Sequence, residues 1–440
     1  MKQGYLEYKE SGYEWLGEIP LHWELKKAKW SFKEKSIKGY PDELLLSVSK
    51  GKGVIPRGEL ENKAVMAFKD LQNFKLVLPE DFVIHLRSFQ SGFEMSMNKG
   101  IVSPAYTVFS CKKGLLPSYY KFLFYMQNFI DAIASTTQSL RDGKPIAYRD
   151  FSNMVLPFPK YNEQVKIANF LKVKLKEVDN LIYTKKKLIF LLEQQRQSII
   201  TEAVTKGLNP NVKMKHSGVE WIGEIPEHWK VKKIKHFATH VGSGKTPSGG
   251  SEVYLDEGVP FLRSLNVHFD GIRLKDLAFI SEDTNAEMKS SQVQPLDILL
   301  NITGASIGRT AIVPKDFGRA NVNQHVCIIR LNKKKMYPYY FNMLMASDVI
   351  NQQIWFAQNG SSREGLNFVQ VKELKFAMPP TIEEQREIND WVFNKQKTIY
   401  DVMSKIKEQI EKLKEYRQSL IYEAVTGKID VRDMELGEVR

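Results

Sequence analysis

Apolar residues recur every seven positions in two long stretches of the chain, 163–205 and 384–426. A seven-residue apolar repeat is typical of a coiled coil, so each stretch is predicted to be a helix, roughly 65 Å long at about 1.5 Å per residue. One apolar seam cannot bury itself, so we expect the two helices to pack on each other; packing on their own globular domains is the alternative. The residues expected in the helix–helix contact are Leu171, Val178, Leu192, Ile199, Ile399, Ile406, Leu413 and Leu420.

The segments between these helices have a different pattern. Short apolar runs bounded by Gly, Asn and Ser predict strands joined by turns. Two further apolar segments, 118–133 and 337–354, are predicted to form short helices. The sequence therefore predicts two mixed, strand-rich interiors of about 120–145 residues, a normal domain size. The predicted strands are 81–86, 102–109, 297–302 and 324–331.

The chain also repeats itself. Residues 11–29 and 217–235 are identical at thirteen of nineteen positions, and 196–205 matches 417–426 at eight of ten. The residues between these segments are much less alike, so two similar frames enclose two different interiors. The period of about 200 residues marks a duplicated module, because solenoid repeats are about 20–50 residues long. Four repeated tryptophans in the lead-in segments are predicted to form a structural clamp rather than to stack on a ligand: Trp15, Trp23, Trp221 and Trp229.

Composition narrows the class of protein. With 440 residues the chain is long enough for two to four domains, and 64 basic against 51 acidic residues give a formal charge of +13. Such an excess favours a polyanionic partner, with nucleic acid the first candidate. We expect no membrane segment and no secretory signal, because no long apolar run is present. The two cysteines, Cys111 and Cys327, form no CxxC, so neither a disulfide framework nor a cysteine zinc site is expected and a cytoplasmic location fits.

Phosphate-binding and metal-binding motifs are incomplete. The segment 242–246 reads GSGKT, but a P-loop needs a further glycine where Thr239 stands, and Pro247 follows where a helix should begin. His236 and His240 have i,i+4 spacing but no evident third ligand. We therefore predict no metal and no cofactor, and we interpret 242–246 as a basic loop able to approach a phosphate backbone.

Motifs for catalysis are equally weak. Asp42 with Glu61 and Lys63 fits a loose pattern of metal-dependent nucleases, but the second copy has no counterpart. Residues 102–106 read VSPAY, which lacks the Asn or Asp and the second Pro of an aminomethylating motif. No catalytic residue is predicted. A nuclease that depends on Asp42 remains the enzymatic alternative.

The remaining candidates for function are polar residues that could contact nucleic acid. Arg can bind guanine and Asn or Gln can bind adenine in the major groove, while Lys and Ser suit phosphates. For each such residue a role in forming a turn is the alternative. The candidate DNA-binding residues are Ser47, Lys50, Arg87, Gln90, Ser91, Asn98, Lys99, Arg141, Ser243, Lys245, Thr246, Arg263, Asn266, Thr303, Ser306, Arg309, Asn323, Gln324 and Arg363.

Several motifs, which occur in the same order in both copies, resemble those of the DNA-specificity subunit of type I restriction–modification systems. The resemblance covers nearly the whole chain. The first copy departs from the pattern at 85–88 and at 138–141. The motifs are the W-L/I-G-E-I-P-x-H-W lead-ins, D-I-L-L-N-I-T-G-A-S-I-G-R-T at 297–310, G-S-S-R at 360–363, P-P-x-x-x-E-Q at 379–385 and R-Q-S-L-I-x-E-A-V-T at 417–426.

The resemblance implies an α+β fold with two mixed, strand-rich target recognition domains in tandem repeat, separated by two long helices packed as an antiparallel coiled coil. The predicted divisions are target recognition domain 1 at 1–157, a first helical spacer at 158–210, target recognition domain 2 at 211–378, and a second helical spacer and tail at 379–440.

The resemblance further implies a non-catalytic subunit whose partners are double-stranded DNA, two methyltransferase (modification) subunits and restriction/translocase subunits. The duplication itself predicts two half-sites at a fixed spacing, and the different interiors predict a bipartite, non-palindromic target. The alternative function is a coiled-coil scaffold that binds nucleic acid without sequence preference.

Overall fold

The computed structural model describes residues 4–60, 70–86, 92–136, 146–247, 249–250, 254–359 and 365–434. The chain forms two compact units, here called the first unit (Met1–Lys185 with Lys407–Arg440) and the second unit (Lys186–Ile406). Both unit boundaries fall inside the long helices. The four consecutive segments predicted from the sequence are bounded differently and stay a prediction.

The first copy of the repeat alternates short strands and short helices before its long helix. Its helices are α1 (Ala28–Ser31), α2 (Pro117–Phe124), α3 (Gln127–Thr136), α4 (Tyr148–Asn153) and the long α5 (Tyr161–Lys206). Its strands are β1 (Tyr8–Glu10), β2 (Glu18–Pro20), β3 (Glu24–Lys27), β4 (Phe32–Lys35), β5 (Leu46–Ser49), β6 (Gly53–Pro56), β7 (Lys75–Val77), β8 (Phe82–Ile84), β9 (Phe93–Met95), β10 (Gly100–Val102), β11 (Thr107–Cys111) and β12 (Val155–Phe158).

The second copy follows the same plan. Its helices are α6 (Glu282–Glu287), α7 (Pro338–Met345), α8 (Asp348–Asn359), α9 (Phe368–Glu373) and the long α10 (Ile382–Val425). Its strands are β13 (Met214–His216), β14 (Glu224–Pro226), β15 (Lys230–Lys233), β16 (Ala238–Ser243), β17 (Val259–Leu262), β18 (Val267–His268), β19 (Gly271–Ile272), β20 (Ala278–Ile280), β21 (Ile298–Asn301), β22 (Thr310–Ile312), β23 (Asn321–Val322), β24 (Val326–Leu331) and β25 (Lys375–Met378).

Each unit is built around a four-stranded antiparallel sheet of the same order, β4-β11-β8-β9 in the first and β16-β24-β21-β22 in the second. A buried aspartate precedes the third strand of each sheet and pairs with a cation, Asp81 with Lys35 at 2.6 Å and Asp297 with Arg330 at 2.7 Å. The two aspartates therefore occupy the same place in the same sheet.

The cores on these sheets differ in chemistry. In the first unit Phe82 pairs with Phe109 across the sheet, and their rings stack at 5.3 Å. The equivalent pair in the second unit is Ile298 and Ile329. All four side chains are buried. One strand order thus accepts an aromatic or an aliphatic core, provided that the neighbouring side chains fill the remaining volume.

One predicted strand is wrong. Residues 102–109 were expected to be continuous, but they form the end of β10, a turn and the start of β11. The turn is closed by the Tyr106 amide, which donates to the Ser103 carbonyl at 3.0 Å. Pro104 has no amide hydrogen to contribute to a strand ladder, so the chain bends there.

The long helices match their predictions, because α5 and α10 begin and end within two residues of 163–205 and 384–426. In the first unit Arg417 donates to Asp179 at 3.1 Å and Lys185 donates to Gln409 at 2.6 Å, so the two helices run antiparallel. In the second unit the Arg196 guanidinium lies 5.7 Å from the Tyr400 ring. Five of the predicted contact residues are buried: Leu171, Val178, Ile399, Ile406 and Leu420. The other three are half-buried: Leu192, Ile199 and Leu413.

The start of each long helix is fastened to the lead-in segment of its own copy. The Trp23 indole N–H donates to Glu163 at 2.9 Å, and the Trp229 indole N–H donates to Glu384 at 2.8 Å. Both indole rings are completely buried. The repeated tryptophans Trp23 and Trp229 thus have the structural role that the repeat predicts, and we call these two contacts the Trp–Glu clamps.

The glutamine that follows each clamp glutamate makes a second repeated contact. Gln164 accepts the Leu116 amide and Gln385 accepts the Tyr337 amide, both at 2.8 Å. Leu116 and Tyr337 immediately precede α2 and α7, so each glutamine satisfies an amide beside the start of a short helix. The Glu-Gln pair therefore ties three elements of each copy together.

The end of each long helix packs on a lead-in segment as well. The end of α10 lies in the core of the first unit with Trp23, and the end of α5 lies in the core of the second unit with Trp229. Gly427 and Gly207 follow these helix ends with φ of 74° and 72°, a conformation that favours glycine. The buried residues at the helix ends are Leu420, Ile421, Ala424 and Val425 of α10 and Ile200, Ala203 and Val204 of α5.

Within the described part of the chain, no helix is both long enough and apolar enough to cross a membrane.

Replacing the clamp glutamate is expected to destabilise the first unit. In Glu163→Ala the buried Trp23 indole N–H loses its acceptor, which should lower the free energy of unfolding by about 1–3 kcal/mol. Urea denaturation followed by tryptophan fluorescence measures this loss. Glu14→Ala changes an exposed glutamate of the same lead-in segment and serves as the control. Equal midpoints for the two variants would contradict the clamp.

The two thiols are expected to be unreactive in the folded chain. Burial raises the pKa of Cys327 to about 12, and burial, then the nearby Glu80 and Asp81 carboxylates, raise the pKa of Cys111 to about 12. Because the thiolate is the nucleophile, alkylation by iodoacetamide at neutral pH should be at least about tenfold slower in the native protein than in guanidinium. Peptide mass spectrometry reports each thiol separately, and fast native labelling of Cys327 would contradict its burial.

Candidate nucleic-acid interface

Several polar turns of the second unit meet at one end of its four-stranded sheet. Strand β16 ends and β24 begins where Ser243 is paired with Cys327, and β21 ends where Asn301 is paired with Val326. Because these neighbours are antiparallel, the turn after β16, the turn after β21 and the turn before β24 lie side by side. We call these three turns the reading end of the second unit.

The turn after β16 approaches the turn before β24 closely. The Gly244 amide donates to the Asn323 carbonyl at 3.1 Å, and a side chain at 244 would collide with the Val322 backbone. Ser243 is half-buried, whereas Lys245 and Thr246 are exposed. The glycine of this loop is thus required for packing, and Lys245 and Thr246 are left on the surface, where they are accessible to a phosphate backbone.

Asn301 organises the turn after β21. Its buried amide donates to the Ser264 carbonyl at 2.9 Å and to the Ser306 hydroxyl at 3.1 Å. Its own backbone amide donates to the Arg309 carbonyl at 2.8 Å. Ser306 and Arg309 are half-buried. The Asn-Ile-Thr-Gly passage is therefore first of all a turn, and its base contacts stay a prediction.

The turn before β24 carries a short chain of side-chain hydrogen bonds. The His325 Nδ1 lies 2.6 Å from the Thr303 hydroxyl, and its Nε2 lies 2.9 Å from the Gln324 amide nitrogen. Asn323, almost completely buried, accepts the His325 backbone amide at 3.1 Å. Thr303 and Gln324 are half-buried at the surface, so both retain area for a ligand.

The turn that contains Arg263 and Asn266 has a more internal role. Asn266 is completely buried, accepts the Arg263 amide at 3.0 Å and donates to the Arg273 carbonyl at 2.9 Å. The Arg263 guanidinium donates to the Asp276 carbonyl at 2.7 Å and lies 5.6 Å from the Tyr254 ring. In this conformation Asn266 stabilises the turn and has no surface to offer DNA.

In the first unit, the candidate DNA-binding residues that the structure describes lie around the β5–β6 hairpin. Ser47 lies in β5, and Lys50 is exposed in the connecting turn. Asn98 is half-buried and donates to the Val54 carbonyl at 3.1 Å, while Lys99 is exposed and pairs with Glu43. Asn98 therefore supports the hairpin, and the two lysines lie on the surface.

A buried glutamate holds the tip of this hairpin. Glu94 is completely buried, accepts the Gly51 amide at 2.7 Å and accepts the Tyr125 hydroxyl. Burial raises the pKa of the Glu94 carboxyl, which the Tyr125 and Gly51 hydrogen bonds oppose. The second copy has Ala311 at the equivalent position of its sheet, so Glu94 is one of the residues that differ between the two interiors.

The remaining candidates lie outside the described residues. They are Arg87, Gln90, Ser91, Arg141 and Arg363.

Sequence reasoning did not single out His325 or Glu94. His325 stood inside the polar run 321–325, and only the fold shows that its ring bridges two other side chains. Glu94 lies outside the strands predicted from the sequence, so no pattern marked it as buried.

The rejected motifs have these positions in the structure. His236 ends a 3-10 turn and His240 lies in β16, so the two do not share a helix face. Across the described ranges, no group of three or more His, Cys, Asp or Glu side chains could hold a metal ion. Asp42 is exposed, and Glu61 and Lys63 lie outside the described residues.

Comparison of the sequence with known families and proteins gives concordant matches. Residues 226–416 match the model of the type I restriction modification DNA specificity domain. The chain is 26% identical over 372 residues to the type I restriction enzyme MjaVIII specificity subunit of Methanocaldococcus jannaschii, covering 83% of each chain. It is 26% identical over 322 residues to the type I restriction enzyme EcoBI specificity subunit of Escherichia coli, covering 71% of this chain and 66% of that one.

Solved structures show the same architecture. A chain from a structure concerned with complex assembly and conformational transition of the type I R-M system has a TM-score of 0.70 at 13% identity, covering 93% of this chain and 99% of that one. The HsdS subunit from Thermoanaerobacter tengcongensis has a TM-score of 0.51 at 14% identity, covering 96% of this chain and all of that one. These likenesses confirm the predicted α+β fold class. In sequence the chain is therefore similar to the specificity subunits of type I restriction–modification systems, and residues 226–416 carry the match to their DNA specificity domain.

Proposed function

We propose that this chain is a non-catalytic subunit that reads a bipartite, non-palindromic duplex DNA target and directs methyltransferase and restriction subunits to it. One observation carries the proposal: the two units share a sheet order and a Trp–Glu clamp but differ in the turns at the end of the sheet. A duplicated frame with two different reading surfaces suits a target made of two different half-sites.

The difference between the reading surfaces is chemical. Before β24 the turn reads Asn-Gln-His at 323–325, and before β11 the equivalent turn reads Ser-Pro-Ala at 103–105. Amide groups can exchange hydrogen bonds with base edges, whereas Pro and Ala side chains cannot. The two units should therefore prefer different letters.

The charge of the chain supports binding to duplex DNA. The formal charge is +13, Lys245 is exposed in the turn after β16, and Lys50 is exposed in the turn between β5 and β6. Lysines at such positions neutralise phosphates and make affinity fall with salt, while base contacts supply the sequence preference. Non-specific binding by a scaffold would show the salt dependence without the preference.

The long helices are proposed to set the gap between half-sites and to dock two methyltransferase subunits, which restriction/translocase subunits join. Each copy contributes one equivalent helix, so two equivalent docking surfaces are expected. Several large apolar side chains on these helices are exposed in the second unit, as expected of surfaces that a partner covers. They include Phe190 and Leu191 of α5 and Trp391 and Phe393 of α10.

Selection from a randomised duplex pool tests the proposal, using this chain co-purified with its methyltransferase subunit. Two short enriched blocks at a fixed gap are expected. Binding without enrichment, which simply weakens with salt, would favour the scaffold.

Shortening a long helix by one heptad is expected to change the gap and not the letters. Deleting residues 182–188 of α5 removes about 10 Å of helix, and the gap should change by up to about three base pairs at about 3.4 Å each. The same selection measures the gap. Replacing these seven residues with another heptad of the same pattern is the control. An unchanged gap after the deletion would contradict the role of the helix as a spacer.

Exchange of one interior is expected to change one half-site. Replacing residues 33–157 with the interior of a subunit of different specificity should replace the letters of one enriched block and keep the other, because the Trp–Glu clamp of that copy is retained. The control is the same exchange at the second interior. Changes in both blocks after a single exchange would refute the modular arrangement.

A further inference from the structure

The imidazole of His325 joins two side chains that are predicted to touch DNA. Its Nδ1 lies 2.6 Å from the Thr303 hydroxyl and its Nε2 lies 2.9 Å from the Gln324 amide nitrogen. Thr303 follows β21 and Gln324 precedes β24, so the ring connects two turns of the reading end. Both ring nitrogens are therefore occupied.

The ring is held in place by its backbone. The Ile302 amide donates to the His325 carbonyl at 3.0 Å, and the His325 amide donates to the Asn323 side chain at 3.1 Å. These bonds tie the residue to the end of β21 and to its own turn. The position of the imidazole is thus set by the sheet.

A neutral imidazole couples its two partners, because it has one N–H and one lone pair. With the proton on Nδ1, the ring donates to the Thr303 hydroxyl oxygen and accepts from the Gln324 amide NH₂. The Gln324 carbonyl oxygen then faces away from the ring, and the Thr303 hydroxyl hydrogen remains available. With the proton on Nε2 both directions reverse, and the Gln324 NH₂ faces away. The structure has the Gln324 amide nitrogen at Nε2, which is the first of these arrangements, so the Gln324 carbonyl oxygen is the end that is presented.

The described residues of the equivalent turn in the first unit do not form such an arrangement. Strand pairing aligns Phe109 of β11 with Ile329 of β24, which places Ala105 at the position of His325 and Pro104 at the position of Gln324. Neither side chain can hydrogen-bond. A contact needed by the shared frame would be expected in both copies, as the Trp–Glu clamp is. The Thr303–His325–Gln324 chain instead belongs to the part of the module that varies.

We propose that His325 is a positioning residue for sequence reading by the second unit: it fixes which end of the Gln324 amide meets the base edge. This proposal rests on the proposed function. A freely turning glutamine can offer an acceptor to one base or a donor to another, whereas a held amide favours one of them. His325 thereby makes Gln324 selective without contacting DNA itself.

The test is selection from the randomised duplex pool with the co-purified complex, comparing wild type with His325→Ala. The variant should retain both blocks and the gap but lose about tenfold in preference at one position of one block, since a good base contact discriminates by about 1–3 kcal/mol. Thr303→Val removes the hydroxyl that holds the ring and should relax the same position. Thr303→Ser keeps the hydroxyl and should relax that position less than Thr303→Val does.

His268→Ala provides the matched control, because His268 is another half-buried histidine of the second unit and bonds only to the Leu265 carbonyl among the contacts that the structure gives it. Unchanged letters in His325→Ala would overturn the positioning role alone. Loss of the whole block with a lower urea midpoint would also overturn it, since His325 would then merely hold the turn. A wild-type complex that enriches no blocks would overturn the proposed function, and this proposal with it.

Discussion

A hydrogen bond from a completely buried indole ring to a carboxylate holds each copy of this protein together. The Trp–Glu clamp joins the lead-in segment to the first turn of the long helix at 2.9 Å in one copy and 2.8 Å in the other. A buried donor without an acceptor is costly, so neither partner can be lost alone. The neighbouring Gln164 and Gln385 lie in the same first turn of the long helix and accept an amide at the start of a short helix. Lead-in, long helix and short helix are thereby fixed without any contribution from the turns at the end of the sheet.

This separation explains how the interiors can differ. The buried Phe82–Phe109 pair of the first sheet is replaced by Ile298–Ile329 in the second, yet the strand order is unchanged. A sheet tolerates such exchanges when neighbouring side chains refill the volume. The turns at the sheet end lie outside the paired strands, so their residues can differ between the copies without changing the strand order.

The turns themselves contain two kinds of polar residue. Asn266 and Asn301 are completely buried, and their side-chain amides donate to backbone carbonyl or hydroxyl groups. These hydrogen bonds shape the turns. Lys245 is exposed, and Thr303 and Gln324 are half-buried, so these side chains retain surface for a ligand. The residue type does not separate the two kinds, because asparagine serves equally well as a turn former and as a base reader. Burial separates them, and burial is a property of the folded chain.

The sequence by itself determined the duplication, the extents of both long helices and the structural role of Trp23 and Trp229, because periodicity and repetition are recorded in the order of residues. The tertiary structure decided which helix end packs on which lead-in. The segments 196–205 and 417–426 are nearly identical, so either could fill either core by its chemistry alone. The end of α5 is followed directly by the second lead-in and packs there, and the end of α10 packs with Trp23 of the first. The structure also broke the predicted strand 102–109 at Pro104 and brought His325 between two side chains from different turns. Such contacts depend on which distant segments meet, and no local pattern of residues specifies that.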